Sequence, residues 1–250
     1  MAIIDKYNPG EFCWTDLGVT DVRAAKKFYQ NILSCDVTDF PMGEGMYSVL
    51  RVKNRDVCAI YQKMNAAPGW LPYISVSDVD ETLRKVQSLG GKTCAAAKDV
   101  MDKGRMAKCQ DPTGGNFAIW QPKSHQGAGL DETPGTICWR DLNTDNPDVA
   151  GGFYAKVFGW VPSAEKMGEG VYHMFSLKED PVGGMWPTPM KNMAPGWLTY
   201  WTVENCENTI AAALKMSGQL LLKTTPIPDM GKFAILADNQ GVAFGVFESK

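Results

Sequence analysis

The stretch FCWTDL at residues 12–17 returns 125 residues later as ICWRDL at residues 137–142, and this repetition decides the fold. Further matches keep nearly the same spacing: GEGMY at 43–47 with GEGVY at 168–172, and APGW at 67–70 with APGW at 194–197. Repeats of solenoid proteins are much shorter, at roughly 20–50 residues. The sequence therefore predicts a tandem duplication of a whole domain, in which any site occurs twice.

Size and charge limit the classes of protein to which the chain can belong. Its 250 residues suffice for two domains of ordinary size, and 44% of them are hydrophobic, as in globular proteins. The net charge is −3 and the basic residues are scattered, which argues against nucleic-acid binding. No apolar run approaches the roughly 18 residues of a membrane span, and the N-terminus lacks the apolar core of a signal peptide. We therefore expect neither a nucleic acid nor a membrane as a partner.

The seven cysteines favour a reducing compartment. Their number is odd, no Cys-x-x-Cys pair occurs, and Cys13, Cys58, Cys109 and Cys138 lie within apolar, strand-like runs. Buried, reduced thiols are the simplest interpretation of this pattern. The cysteines therefore predict a cytoplasmic protein.

Hydrophobic periodicity divides each half into two units of the same kind. In the first unit, residues 11–19 predict a strand, Asp21 caps a predicted helix that buries Phe28 and Tyr29, and three short strands follow. The order restarts at Trp70 and is copied in the second half. A βαβββ unit covers only one face of its sheet with a helix, so two units side by side form a cup.

These patterns predict an α+β fold in which four βαβββ modules pair into two domains with cup-shaped sheets. We place the first domain at residues 1–122 and the second domain at residues 134–250. The segment 123–133 between them contains two glycines and several polar residues, as linkers do.

The motifs of the first half resemble those of the vicinal oxygen chelate superfamily, which includes glyoxalase I, bleomycin-resistance proteins and extradiol dioxygenases. The resemblance rests on residues 14–17, 20–21, 28–29, 77–80, 89–91 and 111–117, and weaker copies extend it over nearly the whole chain. The doubled domain and the Trp-x-Asp-Leu opening are most similar to a tandem-domain glyoxalase-like subgroup. The resemblance implies the cup-shaped fold but no single activity, because this fold hosts many chemistries.

The positions that hold the metal in metal-dependent members of this superfamily carry other residues in this chain. The resemblance implies a His or Gln on the first strand and a Glu on the last strand. Here the first-strand positions are Trp14 and Trp139, and the last-strand positions are Ala118 and Gly245. The indole nitrogen is only a hydrogen-bond donor, and Ala and Gly offer no ligand atom. We therefore expect no bound metal and no other cofactor.

The alternation of side chains along a strand predicts what lines each cup. Trp14 and Asp16 share one face of the first strand, and the pattern places large rings beside very small residues around one carboxylate. The candidate ligand-binding residues are Trp14, Tyr47, Ala118, Trp120, Trp139, Tyr172, Gly245 and Phe247. The rings either hold a flat or apolar ligand or fill an unused cup, and for Tyr47 and Tyr172 a place in the core is the alternative.

Two functions fit this lining. The first is a binding protein of the bleomycin-resistance kind, which holds a small, flat or aromatic organic molecule without chemistry. The second is a metal-independent lyase or isomerase in which Asp16, Asp141 or His173 transfers protons. A structural role is the alternative for each of these three residues. In both cases the partner is a small molecule, and we expect the protein to be a monomer or a homodimer.

Differences between the repeats favour the second cup as the functional one, because they add volume and a titratable group. The replacements from the first half to the second are Ser48 by His173, Thr15 by Arg140, Ala118 by Gly245 and Trp120 by Phe247. Two further cations, Arg105 and Lys232, follow hairpin turns at equivalent positions. They either bind an anionic group of a ligand at the mouth of each cup or are solvated.

Overall fold

Two eight-stranded sheets form the body of the molecule, and each belongs to one half of the sequence. The structure is a computed structural model that describes residues 2–43, 45–63, 67–167, 170–187 and 195–250. Glu44, Gly168, Glu169 and Ala194, which belong to the repeated motifs, lie outside these ranges.

The first half contains β1 (Ala2–Ile3), β2 (Phe12–Val19), α1 (Val22–Leu33), β3 (Asp36–Met42), β4 (Gly45–Val52), β5 (Arg55–Gln62), β6 (Gly69–Ser75), α2 (Val79–Ser88), β7 (Lys92–Val100), β8 (Gly104–Gln110) and β9 (Asn116–Pro122). The second half contains β10 (Leu130–Asp131), β11 (Ile137–Thr144), α3 (Pro147–Phe158), β12 (Val161–Met167), β13 (Gly170–Leu177), β14 (Asp180–Pro187), β15 (Gly196–Thr202), α4 (Cys206–Lys215), β16 (Gln219–Ile227), β17 (Gly231–Ala237) and β18 (Ala243–Ser249).

The order of strands shows two βαβββ modules in each sheet. The first sheet runs β3-β4-β5-β2-β6-β9-β8-β7, and the second runs β12-β13-β14-β11-β15-β18-β17-β16. Within a module the first strand pairs in parallel with the last, as β2 does with β5, and two modules meet where β2 pairs antiparallel with β6. The predicted α+β fold of four βαβββ modules in two cup-shaped sheets is thus confirmed. The domain boundaries themselves stay a prediction.

The four helices within the described residues have 10 or 12 residues each and begin at side-chain caps. Asp21, Asp78, Asn146 and Asn205 are the caps, and each side chain accepts a hydrogen bond from the backbone N–H three residues later. Such a cap satisfies a donor that the first helical turn leaves free, and it stabilises a helix by about 1 kcal/mol. In the part of the chain that the structure describes, no helix has the length and apolar character needed to cross a membrane.

The helices of one half pack against those of the other, between the two sheets. Helix α1 contacts α4, and α2 contacts α3, so that each large core is shared by both halves. One core joins Phe28 and Tyr29 of α1 to Trp201 and Phe244 of the second half. Burying one such side chain contributes about 1.5–3 kcal/mol. Since the helices cover the inner faces, we call the opposite, concave face of β2–β9 the first cup and that of β11–β18 the second cup.

Reciprocal hydrogen bonds show that the halves are related by a pseudo-twofold axis. Tyr29 Oη donates to Asp238 Oδ2 at 3.0 Å, and its repeat partner Tyr154 Oη donates to Asp111 Oδ2 at 2.8 Å. Each tyrosine lies on a helix of one half and each aspartate on a turn of the other. Exchange of this kind is the mark of a twofold arrangement.

Arg140 lies at this axis and not in the second cup. It occupies the position in β11 that Thr15 occupies in β2, and Arg140 Nη2 donates to Thr15 Oγ1 at 3.1 Å. Its guanidinium carbon lies 4.9 Å from the centre of the Phe12 ring, within the shared core. The alternation that turns Trp139 and Asp141 into the cup turns Arg140 toward the other half. The use of Arg140 as an argument for the second cup is therefore wrong.

Candidate functional site

The first strand of each half sets the floor of its cup. In the first cup, Trp14 packs with Tyr73, Ala118 and Trp120, whereas Leu17, on the opposite face of β2, lies in a shared core. The structure therefore brings three of the sequence-derived candidates together on the concave face. They are held by central, fully paired strands, which gives the floor little freedom to move.

A buried carboxylate lies at the centre of the first cup and is surrounded by hydrogen-bond donors. Asp16 is 4% exposed. Its Oδ1 accepts hydrogen bonds from Trp14 Nε1 at 3.0 Å and from Tyr47 Oη at 2.7 Å. Its Oδ2 accepts a hydrogen bond from Tyr73 Oη at 2.6 Å. Tyr47 thus points into the cup, a facing that the sequence left open.

The second cup contains the equivalent network, with Trp186 as one further donor to the carboxylate. Asp141 is 5% exposed, and its Oδ1 accepts hydrogen bonds from Trp139 Nε1 at 2.9 Å and from Tyr172 Oη at 2.7 Å. The hydroxyl of Tyr200 also hydrogen-bonds to this carboxylate. The repetition shows that the carboxylate and its donors belong to the fold of each domain and are not particular to one cup.

Burial controls the acid–base properties of both carboxyl groups. It raises the pKa of Asp16, and hydrogen bonds, led by that from Tyr47, oppose the rise. Burial likewise raises the pKa of Asp141 against hydrogen bonds led by that from Tyr172. A carboxyl group with a raised pKa is suited to proton transfer. Both groups are enclosed by their donors, so a substrate reaches them only when one donor moves aside.

The segment between the domains covers the first cup. The His125 ring lies edge-on to Trp14 and Trp120, with ring centres 4.8 Å and 6.0 Å apart, and Trp120 Nε1 donates to the His125 carbonyl at 3.0 Å. Tyr7 Oη donates to the Ala128 carbonyl at 2.8 Å and fastens the N-terminal segment to this cover. Trp14 and Trp120 are consequently only 4% and 5% exposed. Burial lowers the pKa of His125, which favours its neutral form.

The aromatic rings of the second cup are more exposed. Trp139, Tyr172 and Phe247 are all half-buried. The Trp186 ring centre lies 4.9 Å from that of Tyr172, and Phe233 lies opposite Phe247 on the adjacent strand. The second cup therefore presents an aromatic wall to solvent where the first cup is covered.

Four aromatic residues of the cups escaped the sequence analysis. Tyr73 and Tyr200 could have been identified from the sequence, because the tetrad Trp-Leu-x-Tyr occurs once in each half at the same place in the repeat. Trp186 occupies the position of Tyr61, so an aromatic pair was present there but not an identical one, and Phe233 replaces Met106, which gave no indication of an aromatic wall. The covering role of His125 had no signal either, since it depends on the path of an irregular segment.

Gly245 does not enlarge the second cup. A Cβ atom at this position would overlap the ring of Tyr200, so that ring already occupies the space that the glycine leaves. The expected gain in volume from the difference between Ala118 and Gly245 is therefore wrong. The accessibility of the second cup rests instead on the half-exposed Trp139 and its neighbours.

His173 lies outside the second cup. It follows Tyr172 along β13 and therefore points to the opposite face of the sheet. It pairs in register with Met185, which is fully buried in a shared core, and its counterpart Ser48 lies on the same side of the first sheet. The structure does not bring His173 together with Asp141.

The two cations after the hairpin turns form surface ion pairs. Arg105 Nε lies 2.9 Å from Asp80 Oδ2, and Lys232 Nζ lies 2.9 Å from Glu207 Oε2. These contacts tie each hairpin to the start of a neighbouring helix. Both cations are thereby engaged with carboxylates and do not line a cup.

The residues at the family's metal positions do not fit a metal ion. Trp14 Nε1 and Trp139 Nε1 are donors that are already hydrogen-bonded, and Ala118 and Gly245 have no ligand atom. Within the ranges that the structure describes, no group of three or more His, Cys, Asp or Glu side chains is placed to hold a metal ion. One carboxylate per cup does not make a divalent-metal site. A protein without bound metal remains a prediction.

Comparisons with known proteins bear on the same architecture. The family described as Glyoxalase/Bleomycin resistance protein/Dioxygenase superfamily matches residues 12–119. A protein of Mycobacterium tuberculosis (strain CDC 1551 / Oshkosh) named "Putative glyoxylase CFP32" is 36% identical over 97% of this chain and 96% of its own length. "Anthracycline biosynthesis protein DauV" of Streptomyces sp. (strain C5) is 29% identical over 97% of this chain and 94% of its own. The Mn(II)-bound glyoxalase from Novosphingobium aromaticivorans shares the fold, with a TM-score of 0.69 at 15% identity over 96% of this chain and 82% of that one.

Proposed function

This chain belongs to the glyoxalase/bleomycin resistance protein/dioxygenase superfamily, and from this premise we propose that its second cup binds a small, flat or aromatic organic molecule without a metal ion. The observation that carries the proposal is the difference between two equivalent tryptophans. Trp139 is half-exposed in the second cup, whereas Trp14 is buried under His125 in the first. Sites for small organic molecules are mostly aromatic and apolar, with a few polar groups that fix orientation.

The chemistry of the second cup supports an aromatic ligand. Trp139, Tyr172, Trp186 and Phe247 provide ring faces and edges, and such ring pairs contribute about 0.5–1.5 kcal/mol each beyond the burial of their area. The Tyr172 hydroxyl donates to Asp141 and accepts from Trp139 Nε1, so it offers a ligand little further hydrogen bonding. A ligand of mainly apolar surface with few hydrogen-bonding groups matches this wall.

The names of two relatives support a flat ligand. Both DauV and the related protein DnrV of Streptomyces peucetius are named for anthracycline biosynthesis, and anthracyclines are flat, fused-ring compounds. The name of the mycobacterial relative refers instead to an enzyme. The names alone do not decide between binding and turnover.

The second candidate function is a metal-independent enzyme of the lyase or isomerase type. The observation in its favour is that the buried Asp141, with its raised pKa, is hydrogen-bonded to the half-exposed Tyr172. In this mechanism the ligand displaces the Tyr172 hydroxyl, and Asp141 then exchanges a proton with the ligand. Burial and the Asp141 charge raise the pKa of Tyr172 far above its ordinary value, so the hydroxyl itself is a poor acid. Binding without chemistry therefore has the stronger support.

The test measures binding of coumarin, a flat and neutral aromatic probe, by equilibrium dialysis. We expect Trp139→Ala to weaken binding about tenfold through the loss of ring contacts, and Trp14→Ala to leave it unchanged. The two changes are matched in chemistry and differ only in the cup. Loss of binding in Trp14→Ala with intact binding in Trp139→Ala, both variants being folded, would contradict the proposal.

A second measurement separates binding from catalysis. Native mass spectrometry of the purified protein identifies any co-purified small molecule, and chromatography of that molecule after incubation detects its conversion. We expect the compound to be recovered unchanged. Conversion that is lost in Asp141→Asn would establish the enzyme instead.

We also propose that the protein acts in the cytoplasm, because its cysteines are all unpaired and mostly buried. Burial raises the pKa of Cys13 to about 12, which suppresses its reactive thiolate form. A monomeric or homodimeric state remains a prediction.

A further inference from the structure

Lys108 is a cation at the mouth of the first cup, by which we mean the part of the concave face formed by Lys108, Lys63, Tyr61 and Phe40, and it has no equivalent in the second cup. It is half-buried on β8 and lies beside Ala118 of β9. Its Nζ lies 3.2 Å from Tyr61 Oη and 5.0 Å from the centre of that ring. Ile235 occupies the equivalent position beside Gly245 in the second cup.

A second lysine, Lys63, lies near the same tyrosine. A Cβ atom on Gly18 would lie 2.9 Å from Lys63 Cδ and 3.1 Å from Tyr61 Oη, so the Lys63 stem runs next to the Tyr61 hydroxyl. Lys63 Nζ donates to the Ala67 carbonyl at 2.7 Å. Burial, and then the charge of Lys108, lower the pKa of Lys63, which fits two ammonium groups held near each other.

Among the described residues, neither ammonium group has a carboxylate as ion-pair partner, since none lies within ion-pair distance of Lys63 or Lys108. Asp16 feels the charge of Lys108, but three donors already occupy its carboxyl group. The mouth of the first cup therefore has an excess of positive charge that a bound anion would balance.

An aromatic wall continues from these lysines to the edge of the sheet. Phe40, Tyr47 and Tyr61 are in register on β3, β4 and β5, so their side chains follow one another on the concave face. Phe40 is 50% exposed although it is a large apolar side chain. In the second half the residue at the Phe40 position is Glu165, so the wall there ends in an acid.

We propose that the mouth of the first cup binds an aromatic carboxylate. Lys108 and Lys63 hold the carboxylate beside the Tyr61 hydroxyl, and the ring of the ligand lies along Tyr61 and Phe40. Charge-assisted hydrogen bonds from two ammonium groups give the carboxylate its orientation. This site is distinct from the aromatic wall of the second cup and does not depend on it.

The experiment measures the affinity of benzoate by ligand-observed NMR titration, with benzamide and acetate as comparison probes. Benzamide keeps the ring but not the charge, and acetate keeps the charge but not the ring. We expect benzoate to bind about tenfold more tightly than either. Lys108→Met and Lys63→Met should each weaken benzoate binding about tenfold.

Lys98→Met is the matched control, because Lys98 is an exposed lysine on the same β7–β8 hairpin and its loss changes the net charge equally. We expect it to leave benzoate binding unchanged. Absence of benzoate binding, equal binding of benzamide or acetate, or equal weakening by Lys98→Met would each overturn the proposal. Trp139→Ala should not affect benzoate, so failure here and failure of the second-cup proposal are separate results.

Discussion

The two cups share a floor and differ in what covers it. Each floor is a buried aspartate that accepts hydrogen bonds from one tryptophan and two tyrosines at equivalent positions, and the second has Trp186 as a further donor. The equivalent tryptophan bonds measure 3.0 and 2.9 Å. The first floor lies beneath His125 and the N-terminal segment, whereas the rings of the second are half-exposed. The two halves thus share the aspartate and its hydrogen-bond donors, and they differ in the segments that control the access of solvent to the cup.

The mouths of the cups also differ in charge. The first carries Lys108 and ends at Phe40, whereas the second carries Ile235 and ends at Glu165. A carboxylate is therefore favoured at the first mouth and disfavoured at the second. This difference makes the two proposed ligands separable by charge alone.

The largest expected effect is the removal of the central carboxylate. Asp16→Ala removes the acceptor of the Tyr47 and Tyr73 hydroxyls, at about 1–3 kcal/mol each, while Trp14 Nε1 keeps its bond to Tyr47 Oη; it should lower the free energy of unfolding by about 3 kcal/mol. Asp141→Ala should cost less, because Trp139 is half-exposed where Trp14 is buried, so water can enter the second cup and accept the freed hydrogen bonds. Urea unfolding measures both values.

The control for this pair is Asp36→Ala, which removes an exposed aspartate at the start of β3 and should change stability by no more than about 0.5 kcal/mol. Equal losses for Asp16→Ala and Asp141→Ala would show that the two floors are equally shielded from water. The comparison of a covered cup with an open one would then fail.

The next effect is a dependence of stability on pH. Burial raises the pKa of Asp16 above its ordinary value of 3.8, so the folded state retains a proton that the unfolded state has lost. The resulting stabilisation is complete below pH 3.8 and disappears as the pH rises through the folded pKa. Each unit by which the folded pKa of Asp16 exceeds the unfolded pKa contributes about 1.4 kcal/mol to the free energy of unfolding at low pH.

Lys108 distinguishes the two cups in this respect, because its charge opposes the rise of the Asp16 pKa and Ile235 has no such charge. We expect Lys108→Met to move the loss of stability to higher pH, and Lys98→Met to leave it in place. Urea unfolding across a pH series gives the profiles, and Asp16→Asn identifies the part that belongs to Asp16. An unchanged pH profile in Lys108→Met would show that the charge of Lys108 does not act on Asp16, and the two cups would then not differ in this electrostatic respect.

The smallest effect is the loss of the cover. His125→Ala removes two edge-on ring contacts and should lower the free energy of unfolding by about 1 kcal/mol. Trp14 and Trp120 become more exposed, so tryptophan emission should shift to longer wavelength. Lys123→Ala, two residues earlier in the same segment, removes an exposed side chain and should leave the emission unchanged. Emission that is identical in both variants would mean that His125 does not shield the cup.

The features that depend on local pattern were predictable from the sequence, and those that depend on contacts between distant segments were not. The repeat and the period of the apolar residues predicted the four modules, and alternation along β2 placed Trp14 in the cup. His173 could not be placed, because both faces of β13 bury apolar residues. The predicted gain in cup volume at Gly245 was wrong, because the ring of Tyr200 on a neighbouring strand fills the space beside the glycine.

The pairing of Arg140 with Thr15 has a consequence for the origin of the chain. Reciprocal packing of helices means that an ancestral half-length chain would complete its core only by associating with a second copy of itself. On the exact axis of such a dimer, each residue meets its own counterpart, and an arginine would face another arginine. Thr15 opposite Arg140 is a combination that a dimer of identical halves cannot have. This contact therefore requires that the two halves differ in sequence, as they do within one chain.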